Sequence, residues 1–172
     1  MIKSILLYAI MLALAIASAK RKKGGIVKNI GFRKTEVVEE TKYALSTLFL
    51  LFTASLIIGL IFFSIGLSKD ASIVRSTLKE IPLSDILIVL VIGSITEEIF
   101  FRGYIQKKTN ITTASFIFAY FHIIYGSLTE VVGAFFLGLI LGYAFEKRKN
   151  LYAPTLAHLL YNLITVSILN MV

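Results

Sequence analysis

Long apolar runs separated by short polar stretches dominate the chain. Six can be marked: residues 2–19 (IKSILLYAIMLALAIASA), 43–67 (YALSTLFLLFTASLIIGLIFFSIGL), 83–106, 111–126 (ITTASFIFAYFHIIYG), 128–145 and 151–172 (LYAPTLAHLLYNLITVSILNMV). A helix needs about 20 residues to cross the hydrocarbon of a bilayer. The pattern therefore predicts an all-α, polytopic membrane bundle of about six transmembrane helices, with 111–126 the short one. No repeat, low-complexity stretch or second domain interrupts residues 1–172, so one membrane domain is expected. Gly138 and Gly142 form GxxxG, which lets helix backbones approach closely. Pro154 falls near the start of the last run, where its missing N–H is harmless. Tyr8, Tyr43, Tyr104, Tyr125 and Tyr152 fall near run ends, as interfacial tyrosines do.

Composition fixes the solvent. The 172 residues are 57% hydrophobic and 16% charged, with mean hydropathy +0.84. A soluble domain would carry about a quarter charged residues. The absence of cysteine excludes disulfides, thiolate metal sites and a cysteine nucleophile. With the N-terminus outside, thirteen basic residues fall on the inner side: Lys20, Arg21, Lys22, Lys23, Lys28, Arg33, Lys34, Lys42, Lys107, Lys108, Lys147, Arg148 and Lys149. Four fall outside: Lys3, Lys69, Arg75 and Lys79. This positive-inside bias predicts a multi-pass protein of the cell membrane with residues 20–42 as a basic segment on the cytoplasmic surface. An anionic leaflet of the lipid bilayer accounts for the net charge of +8, and no nucleic acid is needed as partner. Residues 1–19 end in ASA, which resembles a signal-peptidase site, but KRKK follows directly and cleavage would send the basic loops outward. The first run is therefore expected to remain as a span.

An ionisable side chain at membrane depth costs at least about 2.5–3.5 kcal/mol, so it needs a partner or a task. The embedded polar set is Glu97, Glu98, Arg102, His122, His158 and Asn162, with Glu130 near the outer end of the fifth run. A rise of 1.5 Å per residue puts Glu97 about 15 Å, Glu98 about 13 Å, His122 about 16 Å, His158 about 10 Å and Asn162 about 16 Å from their inner ends. That agreement predicts one site, opening to the cytoplasmic side. Glu98 and Arg102 are i,i+4 in the favourable acid-before-base order, a pair that largely satisfies itself. Glu97 points about 100° away, without an evident partner, and is a candidate general base. His122 can relay a proton. His158 and Asn162, again i,i+4, are either two donors for an oxyanion or an interhelical hydrogen-bonded pair. Glu97, His122 and His158 would also serve as zinc ligands with an open position. There is no HExxH, however, and Asn162 beside His158 suits an oxyanion better, so metal-free chemistry without a cofactor is favoured.

EEIFFR (97–102), FAYFH (118–122) and HLLYN (158–162) resemble, in order, the EExxxR, FxxxH and HxxxN motifs of the CPBP intramembrane proteases. That family includes type II CAAX prenyl endopeptidases and Abi-like bacteriocin-processing or self-immunity proteins. The resemblance covers about residues 83–165, the expected catalytic core, and FFLGLILGYAFEKRKNLYAPTLAHLLYN (135–162) is similar to the family's glycine-rich helix and basic turn. It implies an endopeptidase in which Glu97 and His122 activate water, His158 and Asn162 bind the oxyanion, and Glu98 and Arg102 support the site. The implied substrate is a peptide or membrane protein, a prenylated CAAX tail or a leader peptide among them. Two other classes stand beside it. One is a non-catalytic binding or self-immunity protein of the same fold. The other is a small transporter, against which the outer half shows only Glu130 as an embedded charge.

Overall fold

The computed structural model describes residues 2–67, 73, 76 and 81–171. Lys69, Arg75 and Lys79 lie outside the described residues, as does the side chain of Lys3. The elements are α1 (Ile2–Lys20), α2 (Ile26–Ile30), α3 (Val37–Ser64), α4 (Leu83–Glu97), a π-helix (Glu98–Gln106) continuing α4, α5 (Ile111–Phe121), a 3₁₀ turn (His122–Tyr125), α6 (Leu128–Arg148) and α7 (Tyr152–Met171). Among the described residues every regular element is helical. In lipid this follows from backbone chemistry, because a helix satisfies its N–H and C=O groups within the segment.

By length and composition α3, α6 and α7 up to Leu169 can each cross a membrane, and α1 and the α5 region are shorter apolar helices. On α3 only 17% of its most apolar window is buried, and Phe49 and Phe63 stand outward. A helix apolar all round and still exposed has lipid as its solvent. The protein is an integral membrane protein.

Five of the six apolar runs match their helices within a few residues. The second differs: α3 starts at Val37, so the end of the expected surface segment 20–42 is helix. The cause is Glu40, which is buried and accepts from Arg148 Nε at 3.0 Å and Nη2 at 2.8 Å, and from the Thr35 hydroxyl at 3.2 Å. All three donors converge on Oε1, and this charge-assisted contact holds the charged first turns of α3 against the end of α6.

In the bundle α5 packs on α6, α3 on both α6 and α7, α4 on α7, and α1 against α4 and the π-helix. The π-helix carries no residue-type signal that the sequence would reveal. Its side chains dock on the GxxxG carbonyls: Arg102 Nη2 donates to Gly138 O at 3.3 Å and Gln106 Nε2 to Gly142 O at 2.9 Å. A Cβ at Gly142 would lie 2.9 Å from Gln106 Oε1. Gly142 therefore admits a polar side chain to a backbone, whereas a Cβ at Gly138 would meet Ser115 and Phe118 of α5 at 3.1 and 3.3 Å. Gly103 is more constrained, since a Cβ there would lie 2.1 Å from the carbonyl oxygen of Ile30.

Gly103→Ala must push α2 off the π-helix and should cost about 1–3 kcal/mol. Thermal unfolding in detergent should show the loss, while Gly133→Ala, with nothing within 4 Å of the added Cβ, leaves the midpoint in place.

Candidate functional site

The site is built outward from one carboxylate. Glu98 is fully buried; its Oε2 lies 3.3 Å from Arg102 Nε and its Oε1 2.9 Å from His158 Nδ1. The contact with Arg102 is ionic rather than an aligned hydrogen bond, and it leaves Glu98 Oε2 and Arg102 Nη1 without hydrogen-bond partners. The guanidinium rests on Phe118, 4.6 Å from the ring centroid, where a desolvated cation gains from the aromatic face. The same ring meets His122 at 4.5 Å and, edge-on, His158 at 5.9 Å. Glu98 and Arg102 are thus not the self-contained pair expected from i,i+4 spacing, for His158 is a third member.

Glu97 sits where the α-helix gives way to the π-helix. Its Oε2 stands 3.9 Å from His158 Nε2, too far for a hydrogen bond. Its Oε1 accepts from the Tyr8 hydroxyl at 3.4 Å. Tyr8 is therefore not the interfacial tyrosine its position near a run end suggested. The packing of α1 on α4 carries it inward, past Gly93, where a Cβ would lie 2.6 Å from the phenol oxygen. Gly93 is one turn before Glu97, and that small residue is the only trace of Tyr8 in the sequence.

His122 opens the 3₁₀ turn, and its Nδ1 lies 2.8 Å from the Phe118 carbonyl. A carbonyl only accepts, so Nδ1 carries the proton and the lone pair of the neutral ring is on Nε2. Asn162 donates to Ser94 Oγ at 3.1 Å. His158 and Asn162 therefore share a helix face but bond to different partners, Glu98 and Ser94. Ser94 escaped the sequence reading because a serine inside an apolar run is unremarkable. Tyr161 bonds to Ser55 at 2.6 Å.

Glu97, His122, His158 and Asn162 line one cavity of about 230 Å³, together with Tyr8 and Ser94, while Glu98 and Arg102 lie behind its wall. The cavity extends from Glu97 toward Val89 on α4, Thr129 on α6 and Leu169 on α7. These positions lie in the helix halves remote from the basic loops. Depth could not choose a side, because a group about 15 Å deep in a core about 30 Å thick is equally far from both faces. The basic side is closed by Leu151, Ala153 and Ala157, all fully buried. A metal held by Glu97, His122 and His158 has no support in the geometry: among the described residues no three His, Asp or Glu side chains group to hold an ion.

Removing Glu98 strands both a buried guanidinium and an imidazole. Glu98→Ala should cost about 3–5 kcal/mol in denaturant unfolding in micelles, and Glu98→Gln, which keeps an acceptor, less.

Compared with protein-family models, residues 79–164 match the type II CAAX prenyl endopeptidase family, Rce1-like. No curated protein and no solved structure matches the chain. The matched stretch includes each of the polar groups lining the cavity except Tyr8, Ser55 and Thr165.

Proposed function

The chain belongs to the family of Rce1-like type II CAAX prenyl endopeptidases, and on that premise we propose that it hydrolyses peptide bonds within the membrane with Glu97 as general base. The observation that carries the reading is the meeting of Glu97, His122, His158 and Asn162 from α4, the 3₁₀ turn and α7 on a single cavity. Membership in a protease family supports the reaction class; the residue roles below are the proposal.

A water held at Glu97 Oε2 gives its proton to that carboxylate as its oxygen attacks the scissile carbonyl carbon. His122 Nε2 accepts the water's other O–H and aims its lone pair. The second N–H of Asn162, the one not given to Ser94, faces the oxyanion. His158 donates to the oxyanion from Nε2 only when doubly protonated, because Glu98 holds its Nδ1–H. In that form Glu97 and Glu98 balance Arg102 and His158, and the buried quartet is neutral. Collapse of the tetrahedral intermediate breaks the C–N bond, and Glu97 passes its proton to the leaving amine. The products are a new carboxylate and a new amine. Tyr8 keeps Oε1 of Glu97 occupied, so that Oε2 is the oxygen left for water. The substrate is a peptide or membrane-protein segment, with a prenylated CAAX tail the first to try.

Purified wild type and Glu97→Ala, both verified as folded, are incubated in lipid with membrane proteins and peptides that include a farnesylated CAAX peptide. Mass spectrometry should find recurrent cuts by wild type only, with a loss of roughly 10²–10⁴-fold in the variant. Identical product lists would instead favour a binding protein that uses the fold without cutting.

Tyr8→Phe keeps the ring and deletes the donor. On any peptide so identified, kcat should fall about 3- to 10-fold with KM unchanged, as expected for one weak bond to a charged group.

A further inference from the structure

We infer that the end of the bundle carrying α2 holds a site for the phosphate of an anionic glycerophospholipid headgroup, built from Lys22, Arg33 and Lys107. The three cations come from separate parts of the chain: the loop after α1, the loop before α3 and the end of the π-helix. Each is pinned by an uncharged neighbour. Lys107 Nζ donates to the Asn29 carbonyl at 2.9 Å. The Asn29 side chain in turn donates to the carbonyls of Ala19 at 3.0 Å and Lys22 at 3.1 Å, which folds the loop 20–24 back onto α2. Arg33 is held through its backbone. Its N–H donates to Asn150 Oδ1 at 3.3 Å, and Asn150 Nδ2 returns a bond to its carbonyl at 3.2 Å. Two asparagines, with no charge of their own, thus hold three positive charges in place.

Like charges held together repel, and an anion between them relieves the repulsion. Among the described residues the ion pairs at this end are Glu40 with Arg148 and Glu146 with Lys149, and neither includes Lys22, Arg33 or Lys107. Partial burial and the charges of Lys22 and Arg33 push the Lys107 ammonium down to about 8. It is still charged at neutral pH, and the nearby charges that act on it are both positive. Beside these cations α2 exposes Ile26 and Val27, at 41% and 64%. Apolar groups next to exposed cations suit an interfacial segment, with the apolar groups in the acyl boundary and the cations at the level of the phosphates. A free anion would match the cations and leave Ile26 and Val27 in water; a lipid headgroup matches both. The site is narrower than the general attraction of a basic face to an anionic leaflet, because one phosphate meets three particular side chains. It also touches the segment that carries Glu98 and Arg102. Lys107 caps the π-helix that begins at Glu98, and the Ile30 carbonyl packs on Gly103 of the same helix. A headgroup that clamps α2 to Lys107 steadies that helix.

Native mass spectrometry of the full chain in detergent, titrated with phosphatidylglycerol or phosphatidylcholine, counts the lipids held. Wild type should hold one phosphatidylglycerol at least about tenfold more tightly than phosphatidylcholine, since each cation near a phosphate contributes a factor of about five. Lys22→Gln, Arg33→Gln and Lys107→Gln should each lose about fivefold, and Lys107→Arg less. Lys147→Gln removes the same charge from the same end and should stay within about twofold of wild type. Unfolding midpoints in lipid-free micelles should match wild type, and Lys22→Gln carries the test if Lys107→Gln does not fold. Equal losses in the site variants and Lys147→Gln would reduce the site to diffuse charge and overturn the inference. A wild type that does not distinguish the two lipids overturns it too. So does inorganic phosphate that displaces the lipid at equal concentration, because the ligand is then a free anion. Lipid binding is read without cleavage, so the result stands apart from the proteolytic reading.

Discussion

A carboxylate with no exposure to solvent, in a bundle whose surroundings are hydrocarbon, needs its charge compensated. Glu98 sets one oxygen in ionic contact with Arg102 and the other in hydrogen-bond contact with His158. Each partner extends the constraint. Arg102 reaches the Gly138 carbonyl and lies on Phe118, whose own carbonyl fixes the ring of His122. His158 turns its remaining nitrogen toward Glu97. From this one charge the positions of three helices and both histidines follow. A buried ion pair is weak evidence for stability in itself, since its desolvation offsets its attraction. Here its value is in orientation: it holds one histidine nitrogen so that the other is aimed into a cavity.

Two departures from the regular α-helix fall at the candidate site. The chain changes to a π-helix at Glu98 and to a 3₁₀ turn at His122. Wider and tighter turns re-aim side chains that a uniform helix would leave at fixed angular steps, and π segments are frequent at functional sites. The glycines serve the same end. Gly142 makes room for Gln106 at its carbonyl, Gly103 admits the end of α2, and Gly93 admits the phenol of Tyr8. Small residues in this bundle are placed where a polar group must pass.

The helical fold was legible because lipid leaves the chain few options: apolar runs become helices, and helix ends fall where polarity resumes. The polar cast was legible for the same reason, as an intramembrane Glu, Arg or His stands out. What could not be read was who faces whom. Spacing put Glu98 on the Arg102 face and Asn162 on the His158 face, but the bonds to His158 and Ser94 depend on rotations between helices that no spacing records. Tyr8 comes from a helix outside the matched stretch 79–164, and its only mark is the glycine that makes room for it. Depth alone could not say toward which face the cavity extends, because it is symmetric about the middle of the bilayer. The start of α3 was placed late because Glu39 and Glu40 look like loop until Arg148 is known to meet Glu40.

The central claim is that Glu98 fixes His158 through Nδ1 and leaves Nε2 facing Glu97 and the cavity. The chain has only two histidines, so ¹⁵N spectra of histidine-labelled protein in bilayers, assigned with a His122→Gln variant, read this arrangement directly. The account predicts a protonated Nδ1 on His158 that is hydrogen-bonded in wild type and loses that signature in Glu98→Ala. A His158 ring with its proton on Nε2 and a bare Nδ1, or a spectrum indifferent to Glu98, would contradict it.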